Sequence, residues 1–171
     1  MGPDDIFDIF SYSDELHHAP IREHWALYNT LLYRLFVEQP FMITLDPKTE
    51  SYMTVVLQTR NIYPPKPVLF CLIMPAHSFD DSVALEEAEE TMKQLLIGAD
   101  APDIPVVHGM CVSWNRVAFY CYDREQEVFV PELGQVCFEL NFMEGDGATR
   151  MIEVAEDVKN MCRGVIGKLK F

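Results

Sequence analysis

The chain has 171 residues and a mass of 19.7 kDa, a length typical of one domain with its own core. Hydrophobic residues make up 49% and charged residues 23% of it, which excludes a disordered chain, and no apolar run approaches the roughly 18 residues of a membrane span. Lys and Arg number 13 against 27 Asp and Glu, so the net charge is −14. Because this field repels phosphate backbones, we expect no nucleic acid as a partner, and no membrane.

The first residues set expectations about order and compartment. Residues 1–20 mix aromatic and acidic side chains without a clean period, so we predict a loosely ordered segment there and one domain over residues 21–171. The segment lacks the basic and apolar regions of a secretory signal, and we therefore expect a cytoplasmic or nuclear protein without a signal peptide. The cysteines are scattered without CxxC spacing, which favours buried free thiols. They are Cys71, Cys111, Cys121, Cys137 and Cys162.

Hydrophobic periodicity predicts three helices and seven strands in chain order. The helices run from Ile21 to about Val37, from the capping residues Ser78–Ser82 to Gly98, and onward from the break at residues 144–147. The strands are Phe41–Leu45, Tyr52–Thr59, Val68–Met74, Val106–Trp114, Val117–Tyr122, Val128–Val130 and Gln135–Phe142. Pro64 and Pro65 are expected in the connection before the third strand, because proline has no amide hydrogen to donate. This order indicates an α+β fold with a mixed β-sheet flanked by helices.

Common chemical motifs are absent from the sequence. There is no nucleophile elbow and no phosphate-binding glycine loop. The histidines lack metal-ligand spacing, so we predict surface or loop positions for them. They are His17, His18, His24, His77 and His108. The acidic stretch from Asp80 to Asp103 is typical of a solvated helix face, with a metal site as the alternative. The alternating aromatics Phe119, Tyr120 and Tyr122 favour core packing over an exposed stacking platform.

A series of segments, taken in order, resembles a known family. The segments are Tyr28–Leu32 with Leu35 and Phe36, then Tyr52–Leu57, Val68–Pro75, Pro105–Met110, Val117–Tyr122 with Asp123, and Met151–Met161. Together they resemble fungal, mostly mushroom, domains with a PD-(D/E)XK nuclease-like fold. The resemblance covers residues 21–163 and implies that fold for the chain.

The chain departs from the family at the catalytic positions. Such nucleases carry an Asp near the start of the second strand and a Glu-x-Lys on the third, which hold a divalent ion and activate water. The resemblance places these groups at Tyr52, Leu72 and Met74, and a glutamine of the family's helix near Thr91. Leucine and methionine neither ligate Mg²⁺ nor deliver a proton. The resemblance therefore implies a degenerate site with no catalytic residue and no cofactor.

Three functions follow from these observations. The first is a non-catalytic protein that binds a protein partner or associates with itself. The second is a metal-dependent nuclease or phosphodiesterase with relocated carboxylates, for which the candidate metal ligands are Asp46, Glu50, Glu86 and Glu90. The third is a small-molecule binder that uses the former catalytic cleft.

Overall fold

The structure is a computed structural model that describes residues 1–11, 21–37, 40–45, 52–59, 62–75, 78–131, 140–144 and 146–168. Its helices are α1 (Pro3–Ser11), α2 (Ile21–Leu35), α3 (Ser82–Gly98) and α4 (Asp146–Lys168), with a short 3-10 helix at Ser78–Asp80. Its strands are β1 (Phe41–Leu45), β2 (Tyr52–Thr59), β3 (Ile62–Ile73), β4 (Val106–Ser113), β5 (Arg116–Asp123), β6 (Val128–Val130) and β7 (Leu140–Asn141). Within these ranges, no helix is long and apolar enough to cross a membrane.

The described strands form one mixed, open sheet. The order is β1-β2-β3-β4-β5-β6, and β7 also pairs with β5. All neighbours are antiparallel except β3 and β4, which are parallel. A parallel pair needs a crossover connection, and α3 lies in it. This arrangement confirms the predicted α+β class with a mixed sheet flanked by helices, and it confirms β2 and β3 as adjacent antiparallel strands.

Helix α3 covers one face of the sheet at close range. A Cβ on Gly109 of β4 would overlap the flexible side chain of Met92, which would have to shift to admit a larger residue there. The Cys111 thiol, two residues further along β4, lies 3.9 Å from the carbonyl oxygen of Ala88 on the same helix. At the start of α3, Asp81 is the N-cap, and its carboxylate accepts hydrogen bonds from the first-turn amides.

Helices α1, α2 and α4 lie on the opposite face. Phe10 of α1 stacks on Phe142 at a centroid distance of 4.6 Å, and both side chains are fully buried. The hydroxyl group of Tyr28 in α2 donates a hydrogen bond to the carbonyl oxygen of Trp114. Helix α4 packs against α1 and β7. Among the described elements, one α-helix therefore lies on one face of the sheet and three lie on the other.

The N-terminal prediction is wrong for part of its length. Residues 3–11 form α1 rather than a loosely ordered segment, because Ile6, Ile9 and Phe10 are buried in the common core. Pro3 at the first helical position and two early acids suit a helix N-terminus. Residues 12–20 lie outside the described part of the chain.

The proline prediction is also wrong. Pro64 and Pro65 lie inside β3 rather than before it, at a register shift opposite the end of β2. Leu57 pairs with Lys66 and Thr59 with Ile62, so one residue of β2 faces three of β3. Because that irregularity leaves residues without ladder hydrogen bonds, the prolines are tolerated there.

Smaller differences concern the strand ends. The turn between β4 and β5 is Trp114-Asn115, one residue earlier than expected, and Trp114 has a left-handed φ of 52°. The predicted strand Gln135–Phe142 is described only from residue 140, and Phe142 follows β7 in a turn. Its backbone amide donates to the carbonyl oxygen of Asn115 at 2.8 Å.

Candidate functional site

The positions that the nuclease resemblance assigns to catalysis are packed. Leu72 is 8% exposed and Met74 is 4% exposed. Leu72 pairs with Tyr52 on β2 and with Cys111 on β4. It therefore shares with Cys111 the sheet face that α3 covers. The side chain of Tyr52 lies outside what the structure describes.

The candidate metal ligands do not form a described cluster. Glu86 and Glu90 are exposed on α3, and Asp46 and Glu50 fall outside the described residues. Among the described residues, no three His, Cys, Asp or Glu side chains are grouped so as to hold a metal ion. Thr91 is also exposed, and its hydroxyl group donates to the carbonyl oxygen of Glu87 at 2.8 Å.

The carboxylate that faces the sheet from α3 is Glu89, which belongs to the acidic stretch expected on a solvated helix face, so that expectation is wrong for this residue. Glu89 is 7% exposed. Its Oε1 atom accepts a hydrogen bond from the Tyr120 hydroxyl group at 3.4 Å. Glu86 and Glu90, three residues before it and one after it, point to solvent instead. The Glu89–Tyr120 pair is therefore a polar contact between α3 and the sheet.

A cavity of about 330 Å³ lies on the other side of the sheet, beside α4. It is lined by His108, Phe119, Tyr120, Cys121, Val130, Pro131, Leu140, Arg150 and Val154. Most of these side chains are apolar. The cavity and Leu72 lie on opposite faces of the same sheet.

The strand register explains how these residues meet. His108 on β4 pairs with Cys121 on β5, and Cys121 pairs with Val130 on β6, so the three form one row across the sheet. Phe119 lies two residues before Cys121 and hence on the same face. Leu140 enters from β7, which pairs with β5.

Helix α4 forms the facing wall. Arg150 and Val154 are four residues apart and so share one side of the helix. Val154 is buried, whereas the side chain of Arg150 is 49% exposed. Arg150 therefore lies where the cavity meets solvent. Its Nη1 atom donates to Oε2 of Glu153 at 2.9 Å.

The titratable groups of the cavity are uncharged apart from this arginine. Burial lowers the pKa of His108 to about 4, with Arg150 adding to the shift and Asp157 opposing it. Burial and the nearby Asp123 raise the pKa of the Cys121 thiol, against the effect of Arg150. At neutral pH the imidazole is therefore neutral and the thiol is protonated.

Cys121 and His108 are the residue types of a nucleophile and its base, yet their state does not suit that chemistry. A cysteine nucleophile reacts as the thiolate, which a lowered pKa or a hydrogen-bonded base provides. Here the thiol pKa is raised, and among the described residues no hydrogen bond joins Cys121 to His108. This pair therefore lacks the lowered thiol pKa and the hydrogen-bonded base of an activated cysteine nucleophile.

Sequence reasoning missed this site for a definable reason. His108 was expected at the surface or in a loop, and instead lies within β4 and lines the cavity. Phe119 packs against the core, as expected, and also lines the cavity. A period of two reveals which residues of one strand share a face, but the register that aligns His108, Cys121 and Val130 is set by long-range pairing.

The cysteines agree in part with expectation. Cys71, Cys111 and Cys162 are buried free thiols, whereas Cys121 is only partly buried. Cys137 lies outside the described residues.

Comparison with known proteins adds no relative to these observations. No family model matches the chain, and no curated protein and no solved structure is significantly similar to it.

Proposed function

We propose that this chain is a non-catalytic binding protein that takes a small, largely apolar molecule into the cavity beside α4. The observation that carries the proposal is the cavity itself, about 330 Å³ and mostly apolar in lining. Small-molecule sites range from about 300 to 1,000 Å³, and a dry cavity of about 150 Å³ accommodates benzene. The volume suits a ligand of one or two rings, or an aliphatic chain of similar size.

Two observations favour binding over catalysis. Leu72 and Met74 are buried apolar side chains. By the sequence resemblance, a nuclease of that family has Glu and Lys at these positions. In the cavity, the Cys121 thiol is protonated and His108 is neutral. Descent from a PD-(D/E)XK nuclease-like ancestor is part of the proposal, supported by the order of the sequence segments and by the adjacent antiparallel strands β2 and β3.

The site differs from the former cleft that the sequence suggested for a small molecule. Leu72 and Cys111 face α3, whereas His108 and Cys121 face α4. Binding of a protein partner or of a second copy stays an expectation from the sequence alone.

Calorimetry with 2-naphthamide, a neutral two-ring probe, tests the proposal. The wild-type protein is expected to bind it and to gain about 2.7 kcal/mol of stability when the free probe is 100 times its Kd. Cys121→Phe places a ring inside the cavity and is expected to abolish binding. Ile97→Phe is the matched control, because Ile97 is exposed on α3, away from the cavity.

Two outcomes contradict the proposal. One is the absence of binding by the wild-type protein to this probe and to single-ring and aliphatic amides of smaller size. The other is unchanged binding in a Cys121→Phe protein whose circular dichroism matches that of the wild type. Loss of binding in the Ile97→Phe protein would place the site elsewhere.

A further inference from the structure

We infer that the ligand of this cavity carries a single carboxylate, which Arg150 binds at the mouth while the apolar body lies inside. The inference rests on the proposed function and names the class of ligand: small aromatic or aliphatic monocarboxylates. It follows from the position of the one charged group among the described residues that line the cavity.

The Arg150 guanidinium has donors to spare. It presents five N–H donors, and the described contact uses Nη1 for one bond to Glu153 at 2.9 Å. Both side chains of that pair are about half exposed, at 49% and 55%. Because exposed ion pairs three residues apart contribute little, a ligand carboxylate can replace Glu153 easily. Arginine and carboxylate also match in shape, so two parallel hydrogen bonds can form.

The charge of Arg150 acts inside the cavity and not only at its rim. It lowers the pKa of both His108 and Cys121, which lie on two neighbouring strands. No other described lining residue is charged at neutral pH. An anionic group that enters with an apolar body therefore meets one positive charge at the mouth, next to the apolar interior.

The surrounding charges limit the ligand to one negative charge. Asp157 and Asp123 lie near enough to raise the pKa values of His108 and Cys121, although neither residue lines the cavity. The chain as a whole has a net charge of −14. A dianion such as a phosphate monoester would be repelled by these carboxylates with a single guanidinium to offset the repulsion.

Three probes of one shape separate the possibilities: 2-naphthoate, 2-naphthamide and 2-naphthylmethylamine, each titrated by calorimetry at neutral pH. We expect the carboxylate to bind about tenfold more tightly than the amide, the difference typical of one charge-assisted interaction. The cationic amine is expected to bind most weakly. In Arg150→Gln, naphthoate affinity should fall to that of the amide, while amide affinity stays unchanged.

Two variants on the same helix serve as controls. Arg163→Gln removes an exposed arginine of α4 that donates a hydrogen bond to Asn160 at 2.9 Å. Because Arg163 does not line the cavity, the affinities for all three probes should stay unchanged. Glu153→Gln frees the Arg150 guanidinium and should strengthen naphthoate binding alone.

The outcomes distinguish this inference from the proposed function. Equal affinity for naphthoate and naphthamide, tighter binding of the amine, or an unchanged ratio in Arg150→Gln overturns the carboxylate inference and leaves the cavity as a binding site. Failure of all three probes, and of the smaller single-ring and aliphatic amides and their carboxylates, to bind overturns both.

Discussion

Leu72 and Met74 are large apolar side chains at the positions where the sequence resemblance predicts the Glu and Lys of a nuclease. Leu72 lies on the face of β3 that α3 covers, and both side chains are nearly inaccessible to solvent. Burial of a side chain of this size contributes about 1.5–3 kcal/mol. With these two apolar residues, this part of β3 belongs to the hydrophobic core.

The double variant Leu72→Glu with Met74→Lys introduces the Glu-x-Lys spacing of the nucleases that the sequence resembles. We expect its free energy of unfolding to fall by more than about 3 kcal/mol, because buried ions lose several kcal/mol of hydration even when paired. We also expect no cleavage of DNA or RNA with Mg²⁺ or Mn²⁺. Urea denaturation and a nuclease assay measure the two effects.

The matched control is Leu72→Ile with Met74→Leu, which keeps volume and polarity and should change stability by less than about 1.5 kcal/mol per site. An unchanged melting temperature in the charged variant would show that these positions are open to water. Cleavage of DNA or RNA by that variant would contradict the expectation that Glu and Lys at positions 72 and 74 form no active site.

At the scale of elements, α1 is the clearest departure from sequence-based expectation. Its buried residues Ile6, Ile9 and Phe10 have helical spacing. A helix of about two and a half turns is nevertheless too short for its hydrophobic periodicity to predict it from the sequence. A helix this short is marginal alone and is stabilised by tertiary packing. Phe10 provides that packing through its stack on Phe142 and its contact with Tyr28 at 5.8 Å between ring centroids.

Phe10→Ala is therefore expected to lower the free energy of unfolding by about 3–5 kcal/mol, the usual effect of removing a fully buried aromatic ring. Phe7→Ala on the same helix is the control, because Phe7 is 44% exposed. Its effect should stay near 0.5 kcal/mol, as for most surface substitutions. Equal effects in the two variants would mean that α1 does not dock on the core as described.

Other elements were predictable because their signals are local. The bounds of β1, β2 and β6 agree with expectation, since each is an apolar or β-branched run with clear breaks around it. Helix α3 begins after the expected cap and ends at Gly98. The prolines of β3 were misplaced because a register shift between paired strands leaves no signature in one strand's own sequence.

The candidate site required information on the same larger scale. The row that joins His108 to Cys121 depends on strand pairing, and the facing wall comes from α4, about 30 residues further along the chain. The pKa of His108 reflects its burial, which also depends on the assembled layers. Residue types alone therefore gave no reason to group these positions.

At the scale of the whole molecule, the sheet divides two environments. Its α3 face holds Leu72 and the Glu89–Tyr120 pair, and the side chain of Met92 on α3 lies against Gly109. Its other face, beneath α4, leaves the cavity. We propose that a small molecule enters on the α4 side and leaves the α3 side undisturbed.

Amide NMR spectra recorded during titration with 2-naphthamide test that claim most directly. We expect the largest chemical-shift changes at residues of the cavity, such as His108, Cys121 and Val154. The amide signals of Met92 and Leu96 on α3 should not shift. The largest changes at Leu72 and along α3, or no saturable change anywhere, would contradict it.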